Sequence, residues 1–460
     1  RQRRWGLPIP VFYCADCGKP VCTDETIEAV SRLFAEKGSN AWFEMDAADI
    51  LPKGFACPHC GKSAGFTKEE DTLDGWFDSG STHFAAMKKD QGFWPATMYL
   101  EGLDQYRGWF QSSLLTAVGA FGEGAPFKEC VTHGWTVDGE GRAMHKSLGN
   151  GVDPADIFNE NGADILRLWA ASADYHADVR CSKAIFQQLS QNYLKFRNTC
   201  KFMLDNLVDF DPAHLTKAED MPVLDRWLIT KLNELIEKVE QSYNDYEFHI
   251  ITHAVNDFCV TTLSSFYLDI VKDRLYCEAA DSAERRSAQT ALYLTLSTLA
   301  KLFAPILAFT CDEIWLAMPH TAEDDARNVV LNDMNKPFTA YALDAETMAR
   351  WEHIIEVRTA VNGALEEARA AKVIGKSLEA DVHLTVPEGD VFLADENPAA
   401  LADLFIVSKV ELTVGGELAV KVENAAGTKC PRCWKHSLTP NAEGLCPRCA
   451  EVVRHLPDLL

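Results

Sequence analysis

Apolar residues recur at helical spacing through the middle of the chain. A spacing of three or four positions holds between Ile185 and Leu207 and again from Leu224 to Val239. It continues from Phe248 to Tyr276 and from Arg285 to Met318, where Pro305 removes a helical hydrogen bond and predicts a bend. Because amphipathic helices must bury their apolar faces and the polar connections here are short, the pattern predicts a helical bundle.

A small mixed region is predicted after the bundle. Residues 321–349 carry few periodic apolar positions and are predicted to be a connecting segment. A helix is predicted from Ala349 to Ala371, and apolar residues then alternate with polar ones at Ala380 to Val386, Val410 to Val414 and Leu418 to Val422. Such alternation is typical of strands with one buried face, so these runs predict a small sheet against the helix.

The first third of the chain contains a pattern typical of parallel strands. A short apolar run at Met98 to Leu100 predicts a buried strand, a helical pattern includes Trp109 to Val118, and a second strand is predicted from Cys130 to Val137. A strand, a crossover helix and a second strand in one sheet form a right-handed unit with parallel strands. Ligands of such sheets bind at the carboxyl ends of the strands.

Polar residues stand at both of these strand ends. Glu101, Asp104 and Gln105 end the first strand, while His133 and Gly134 lie in the second. All five are expected to face one crevice, where a carboxylate could hold the ammonium group of a substrate. The alternative is that the Asp caps a helix and the Glu is an ordinary surface residue.

Two aromatic residues stand between acidic residues in the segment Asp71 to Gly80. Trp76 and Phe77, presented in this way, can form the wall of an apolar pocket. The alternative is a core anchor beneath a loop, and the residues alone leave both interpretations open.

The segment His133 to Asn150 has the composition of an anion-binding loop. It combines glycines, which permit close backbone approach, with side chains that can neutralise phosphate: Gly139, Gly141, Gly149, Arg142, Lys146 and the candidate His145. The alternative is a basic surface loop.

Composition narrows the class of protein. The chain has 460 residues, enough for two to four domains, and 47% are hydrophobic while 24% are charged, as in ordinary globular proteins. A net charge of -24 argues against an indiscriminate nucleic-acid binder. Because neither an apolar run of membrane-spanning length nor a signal peptide is seen, a cytoplasmic protein without membrane contact is expected. The first residue, Arg1, predicts a fragment of a longer protein.

Eight of the fifteen cysteines form four C-x-x-C pairs. Two nearly identical pairs close the chain, and they predict a zinc site with the ligands Cys430, Cys433, Cys446 and Cys449. Two pairs near the start predict a second zinc site, with the ligands Cys14, Cys17, Cys57 and Cys60. Matched pairs in a large chain favour structural zinc over redox chemistry, which needs one pair in a strand-to-helix setting.

The tail around the last cysteines is less acidic than the rest of the chain. Between Ala426 and Ala450 it carries four cations against one acid, the cations being Lys429, Arg432, Lys435 and Arg448. The balance predicts a local surface for RNA phosphate, with Trp434 or His436 available to stack on an unpaired base. The alternative is a zinc staple without RNA contact.

Four ordered motifs carry a resemblance to a known family. They read R-Q-R-x-W-G-x-P-I-P from Arg1, D-x-L-D-x-W-F-D-S-G from Asp71, Y-L-E-G-x-D-Q-x-R-G-W-F from Tyr99, and H-G-x-T-V-D-G-x-G-R-x-M-x-K-S-L-G-N from His133. Together they resemble the second half of the catalytic domain of the isoleucyl-tRNA synthetase family, within the class I aminoacyl-tRNA synthetases. The W-F-D-S-G form and the cysteine-rich tail favour isoleucine over the valine and leucine relatives.

The resemblance implies roles for the polar and aromatic candidates. It assigns binding of the aminoacyl-adenylate to Glu101, with Asp104 and Gln105 as neighbouring polar contacts. It also assigns Trp76 and Trp109 to the surroundings of the isoleucine pocket.

The same resemblance implies roles for the loop. His133 and Gly134 lie where the family holds the adenosine, and Lys146 matches the second lysine of its Lys-Met-Ser-Lys-Ser loop, which stabilises the transition state of activation. Ala143 stands where the family has its first lysine and His145 replaces the serine, so weakened ATP activation is expected.

A multidomain fold follows from pattern and resemblance together, α/β in part and all-α in part. The expected domains are the second half of a Rossmann-like catalytic domain at residues 1–180, with a zinc-knuckle insertion at 14–60, and a helical anticodon-binding bundle at 181–345. A small α/β subdomain is expected at 346–425 and a zinc-binding module at 426–460.

The implied activity is ATP-dependent attachment of isoleucine to tRNA(Ile) by the full-length synthetase, a monomer that uses structural zinc and magnesium with ATP. The family's His-Ile-Gly-His motif and editing domain, which precede this region, are not found in the sequence, so the isolated fragment is expected to be inactive. Two alternatives stay open: a tRNA-binding or structural fragment without catalysis, and a valine-specific relative.

Overall fold

A computed structural model describes residues 5–390, 393 and 398–456 of the chain. Those described residues that fall within Arg1–Val137 and Tyr175–Val179 form one compact unit, and those within Asp138–Asp174 and Arg180–Leu460 form a second. Within the described ranges, no helix combines the length and the apolar composition needed to cross a membrane.

The first unit begins with a small sheet beside short helices. Its elements are β1 (Phe12–Cys14), β2 (Pro20–Val21), α1 (Asp24–Lys37), α2 (Ala41–Glu44), α3 (Ala47–Ile50) and β3 (Phe66–Lys68). Strand β1 pairs antiparallel with both β2 and β3. Helix α1 begins where Thr23 and Thr26 exchange side-chain and backbone hydrogen bonds, which satisfies two amides at its start. The buried rings of Phe12 and Trp42 pack edge to face beneath the sheet, with centroids 5.1 Å apart.

The remainder of the first unit contains the predicted strand, helix and strand. Its elements are α4 (Gly75–Gly80), a π-helical turn (His83–Lys88), β4 (Ala96–Gly102), a 3-10 turn (Leu103–Arg107), α5 (Trp109–Leu115), a second π-helical turn (Thr116–Ala120), β5 (Phe127–His133) and β6 (Thr136–Val137). Strands β4 and β5 are parallel neighbours, and Gly102 lies opposite His133, so the predicted unit is confirmed.

The second strand is shorter than predicted. It ends at His133 instead of running to Val137. At Gly134 the chain leaves the strand and its N–H donates to the Tyr175 carbonyl. A Cβ at this position would lie 2.4 Å from the Ala177 carbonyl oxygen, so only glycine fits the close approach.

The second unit is largely helical. Its helices are, in order, α6 (Pro154–Asn161), α7 (Ala163–Ser172), α8 (Lys183–Asp205), α9 (Val223–Asn244), α10 (Phe248–Asp257), α11 (Leu268–Cys277), α12 (Ala283–Phe303) and α13 (Ala308–Ala317). The short strand β7 (Val179–Arg180) lies between α7 and α8. All the predicted helical segments are confirmed. The predicted bend at Pro305 is a complete break between α12 and α13.

The break at Pro305 is held by two charged side chains of α7. The Asp164 carboxylate accepts from the backbone N–H groups of Phe309 and Thr310 at the start of α13. Arg167 donates to the carbonyls of Pro305 and Ile306, which follow α12. An anion at a helix start and a cation at exposed carbonyls both oppose the partial charges there, so α7 fixes the break.

The predicted small sheet follows α14 (Ala345–Ala370). It consists of β8 (Ala380–Val386), β9 (Lys409–Val414) and β10 (Ala419–Asn424), with β8 in the centre, antiparallel to β10 and parallel to β9. Alternate residues of β8 are buried, as the sequence pattern predicts. Helix α15 (Pro398–Phe405) packs on the sheet, and the tail adds β11 (Thr428–Lys429), β12 (His436–Ser437) and α16 (Pro447–Arg454).

One apolar core runs from the bundle into the small sheet. It includes Leu228 and Leu232 of α9, Ile354 of α14 and Val382 of β8, all buried. Because this core is continuous, the sheet and the bundle stabilise each other.

Candidate functional site

The polar candidates of the first unit converge at the carboxyl end of β4 and β5. A Cβ built on Gly102 would lie 2.8 Å from Asp104 Oδ1 and 3.5 Å from His133 Cε1, so the two side chains flank this glycine. Gln105 Nε2 lies 3.0 Å from Asp104 Oδ2, within hydrogen-bond distance. Glu101 is exposed in β4, one residue before Gly102. The structure therefore brings Asp104, Gln105 and His133 together beside Gly102 at the carboxyl end of the strands, and the described contacts do not include Glu101 in this group.

Gln105 links these polar residues to the aromatic candidates. Its Oε1 accepts from the Trp109 backbone N–H at 2.9 Å, and the Trp109 ring donates to the Ser79 carbonyl. The Trp109 ring also stacks on Tyr99 with centroids 4.3 Å apart. Gly108 leaves space between Gln105 and Trp76, because a Cβ there would meet Gln105 Oε1 at 2.4 Å and Trp76 Cε2 at 3.5 Å.

The exposure of Trp76 excludes one of its two interpretations. Trp76 is 44% exposed and Phe77 is 39% exposed, so neither is a core anchor. Trp109, in contrast, is half-buried and held by hydrogen bonds at both its ring and its backbone. The two tryptophans are thus near Gln105, one fixed and one presented to solvent.

In the second unit, a single carboxylate organises the loop that carries Lys146. Asp138 accepts from the backbone N–H groups of Glu140 and Arg142, from the Arg142 guanidinium and from the Asn150 side chain. The hydrogen bond from Asn150 and those from Arg142 lower the pKa of Asp138 to about 2. Asn150 also accepts from the His145 N–H and donates to the Ala143 carbonyl, which closes the loop.

Lys146 itself is exposed at the start of a 3-10 turn, Lys146–Leu148. Gly149 ends that turn with φ of +60°, a left-handed conformation that favours glycine. Met144 packs against the apolar cluster that contains Ile165, so the loop is anchored on one side of the lysine. The described residues of its own unit give Lys146 no ion-pair partner, which leaves the ammonium group available for an anion.

Sequence reasoning missed Asp138 and Asn150, whose side chains shape this loop. The available signals were an Asp directly before G-x-G, typical of a turn in which the side chain accepts from nearby amides, and an Asn directly after Gly149.

An Asp138→Ala variant is expected to lower kcat about tenfold in an assay of the activity proposed below, because misplacing a phosphate-facing group slows reaction steeply. Removing the carboxylate leaves the amides of Glu140 and Arg142 without their acceptor. Amide hydrogen exchange of the loop should accelerate in the same variant, and Asp138→Asn, which keeps one acceptor oxygen, should lose less. Wild-type kinetics in both variants would rule out a positioning role; Glu160→Ala, at an exposed residue of α6, is the control.

The first four-cysteine cluster lies between β1 and the loop before β3. Sγ of Cys14 lies 3.6 Å from that of Cys60, and Sγ of Cys17 lies 3.8 Å from that of Cys57. Four thiolates on tetrahedral zinc, with Zn–S bonds of about 2.3 Å, have sulfur atoms about 3.8 Å apart. Burial raises the pKa of Cys57, but backbone amides outweigh that effect and lower it to about 7. The donor set and its spacing fit a zinc ion.

The second cluster brings together the four cysteines of the tail. Their sulfur atoms all lie within 4.8 Å of one another, and those of Cys433 and Cys446 are 3.7 Å apart. Burial raises the pKa of Cys430, while nearby backbone amides lower it to about 6, which favours the thiolate form that binds metal. Each cluster could therefore hold its own metal ion.

The four cations of the tail, which the sequence predicts to favour RNA phosphate, all have partners within their unit. Lys429 pairs with Glu379, Lys435 pairs with Asp403, and Arg448 pairs with Asp273 and Glu278, while Arg432 donates to the carbonyls of Tyr276 and Cys277. These contacts attach the tail to the end of α11, to Glu379 directly before β8 and to α15. The cations of the tail therefore hold it against the rest of its unit.

The two stacking candidates of the tail have different environments. Trp434 is 53% exposed, with a positive φ of 64° and the Lys376 ammonium 5.3 Å from its ring centroid. His436 is half-buried in β12, where Nδ1 lies 3.2 Å from the Ala425 carbonyl. Trp434 alone of this pair presents its ring.

An Arg448→Ala variant is expected to loosen the docked module by about 1–2 kcal/mol, between the values for exposed and buried ion pairs. Amide exchange at residues 426–456 should then be about 5- to 30-fold faster. Burial raises the pKa of Asp273, but Arg448 outweighs burial and holds it below its ordinary 3.8. The contribution is therefore present above pH 3.8 and lost as the pH falls through the lowered pKa. Arg454→Ala, which removes only a pair with Glu451 inside α16, is the control, and equal exchange in the two variants would contradict the docking role.

The arginines Arg1, Arg3 and Arg4 of the first motif lie outside the described residues.

Two family models match the chain. The model of class I tRNA synthetases (I, L, M and V) matches residues 1–182. The model of the anticodon-binding domain of tRNA ligase matches residues 225–384.

Curated relatives match along nearly the whole chain. The isoleucine–tRNA ligase of Moorella thermoacetica is 48% identical over 482 residues, which cover 99% of this chain and 51% of that protein. The isoleucine–tRNA ligase of Desulforamulus reducens is 49% identical over 477 residues, with the same coverage of 99% and 51%. The chain thus spans about half the length of these relatives.

Among solved structures, a LeuRS of Agrobacterium radiobacter K84, crystallised as a ternary complex with tRNA and LeuAMS, matches with a TM-score of 0.53 and 17% identity. The match covers 92% of this chain and 45% of that one, and it supports the fold alone. The sequence matches go further: the chain belongs to the class I aminoacyl-tRNA synthetases, within the isoleucine–tRNA ligase family.

Proposed function

We propose that this chain carries part of the catalytic and tRNA-binding machinery of an enzyme that activates isoleucine with ATP and transfers it to tRNA(Ile). The observation that carries the proposal is an identity of 48–49% with curated isoleucine–tRNA ligases across 99% of the chain. The bundle and the tail would hold the tRNA, and the first unit with the Lys146 loop would take part in activation.

Recognition of the amino acid is assigned to the ligand edge of β4 and β5. The Glu101 carboxylate would bind the ammonium group of the aminoacyl-adenylate, because the two groups carry opposite charges. Asp104 and Gln105 would supply neighbouring polar contacts, and their mutual hydrogen bond supports this role by fixing their orientation.

Trp76 and Trp109 would enclose the branched side chain of isoleucine. The stack of Trp109 on Tyr99 supports a rigid wall, while the exposed Trp76 can close over a bound ligand. An apolar pocket distinguishes isoleucine from valine by about 1–3 kcal/mol, the worth of one methylene group. Competition between isoleucine and valine in an aminoacylation assay would expose a valine-specific enzyme.

Each unit would contribute separately to the handling of ATP. His133 and Gly134 would hold the adenosine, and Lys146 would neutralise the negative charge that develops on pyrophosphate as it leaves. Magnesium that accompanies ATP would screen the same phosphates. Ala143 and His145 supply neither of the side chains that the family carries there, so Lys146 would bear more of this task.

The tail would recognise RNA by stacking instead of by free charge. The exposed Trp434 ring beside Lys376 supports a contact with an unpaired base, which is worth about 1–3 kcal/mol. Zinc in both cysteine clusters would be structural. The domain boundaries proposed are 1–180, 181–345, 346–425 and 426–460.

Two assays on the purified 460-residue chain test the proposal: isoleucine-dependent exchange of pyrophosphate into ATP, and binding of tRNA(Ile). Exchange overturns the alternative of a binding module without catalysis. Binding without exchange supports that alternative for the chain alone. If the chain shows no exchange and also does not bind tRNA(Ile), the proposal is overturned. Equal affinity for an unrelated tRNA would also count against it.

A further inference from the structure

A groove in the second unit belongs to none of the sites described so far. It lies between α8 and α10, with α7 and the end of α12 beneath it, and has a volume of about 230 Å³. Fourteen residues line it, and none of them is Asp, Glu, Lys or Arg. In a chain with 24% charged residues and a net charge of -24, an uncharged groove excludes ligands anchored mainly by phosphate or carboxylate.

Side-chain amides from two helices border this groove. Gln188 and Asn192 belong to α8, while Asn256 belongs to α10, where His253 also reaches the rim. Asn192 and Asn256 are half-buried, yet the described part of the chain offers hydrogen-bond partners to neither side chain. Water can satisfy half-buried amides, and a ligand that displaces it would find donors and acceptors on both sides of the groove.

The floor of the groove is apolar and partly aromatic. The buried rings of Phe196 and Phe303 meet edge to face with centroids 5.2 Å apart. Leu168 and Leu307 are buried beside them. A flat apolar ligand would bury its faces here while its edge reaches the amides.

The backbone beside the groove is irregular. Helix α10 passes directly into a ten-residue π-helical segment, Phe258–Tyr267, which separates it from α11. Segments of π-helix are uncommon and occur frequently at functional sites, because their wider turn displaces side chains from regular positions. Asn256 lies two residues before this segment.

We propose that this groove binds a nucleobase through the amides of Asn192 and Asn256. A carboxamide presents a donor and an acceptor side by side and matches the edge of adenine with two hydrogen bonds. The apolar floor supplies contacts for the face of the base. The same chemistry exists in a free nucleoside and in an unstacked base of RNA. The proposal stands apart from the catalytic assignments, which concern residues outside the groove.

Methyl-labelled protein tests the proposal by NMR, with adenosine as the probe. Adenosine should produce saturable shifts at the methyl groups of Leu168, Leu189 and Leu307, which line the groove. In Asn192→Leu and Asn256→Leu variants the affinity should fall about tenfold or more, since each removes a paired donor and acceptor. Asn192→Asp, of the same shape but without the amide donor, should weaken binding similarly.

Gln191→Leu is the matched control, because Gln191 is exposed on the same helix outside the groove. Absence of shifts at the groove methyls in the wild type, or affinities in the Asn192 variants equal to that of the control, would overturn the proposal. An oligoadenylate of four nucleotides separates the two sources: tighter binding than adenosine identifies a base within RNA, and equal or weaker binding identifies a free nucleoside. These methyls are separate from the candidate adenosine contacts His133 and Gly134, so this result and that of the exchange assay are distinguishable.

Discussion

A Lys146→Met variant is expected to lose about 100- to 1,000-fold in kcat for isoleucine-dependent pyrophosphate exchange, the usual cost of removing one group that stabilises developing charge. The KM for isoleucine should stay near its wild-type value, because Lys146 would contact the leaving pyrophosphate and not the amino acid. The measurement is made in the full-length enzyme if the 460-residue chain alone does not catalyse pyrophosphate exchange. Methionine is an unbranched side chain of nearly the same length, and it removes the charge and the N–H donors.

The control for this variant is Lys195→Met, at an exposed lysine on α8. Loss of the same size in both variants would indicate a general effect of charge on ATP binding. A Lys146→Met variant with wild-type kcat would remove the loop from the mechanism altogether, and the hydrogen bonds of Asp138 would then be purely structural.

Zinc analysis of cysteine variants should give a stoichiometry of two in the wild type and one in Cys430→Ser. Each cluster supplies a complete set of four sulfur atoms, so loss of one ligand should empty one site without affecting the other. Cys14→Ser should likewise retain one zinc, and the double variant should retain none. Metal content measured by atomic spectroscopy on protein dialysed against a chelator decides the count.

The tail variant should also weaken binding of tRNA(Ile) about tenfold, because Trp434 follows the ligand Cys433 directly and would lose its fixed position. Cys14→Ser leaves that tryptophan in place and should bind tRNA as the wild type does. Cys22→Ser, at an exposed cysteine outside both clusters, is the control for thiol loss. Unchanged zinc in Cys430→Ser would mean that the ligands are misassigned.

Periodicity predicted the elements whose burial it reflects directly. The alternation of Ala380 to Val386 matches β8 residue for residue, because a strand with one buried face has no other way to arrange its side chains. The helices of the bundle followed from the same logic, and the cysteine spacing was enough to anticipate both four-sulfur clusters.

Features that depend on contacts distant in sequence were not predictable in this way. The end of β5 at His133 depends on the backbone at Ala177, which no local pattern reveals. The tail cations appeared free because their partners, such as Asp273 for Arg448, lie far away in the sequence. The π-helical segment Phe258–Tyr267 has nearly the same apolar spacing as an α-helix, so periodicity could not distinguish the two.

The break at Pro305 and the Lys146 loop are both contacted by the same helix, α7. Its Asp164 accepts a hydrogen bond at the start of α13, and its Arg167 donates to a carbonyl that follows α12. Its Ile165 belongs to the apolar cluster against which Met144 packs. Helix α7 thus contacts both the break in the bundle and the apolar cluster that supports the loop. A substitution that displaces α7 would therefore disturb the contacts at the break and the support of the Lys146 loop together.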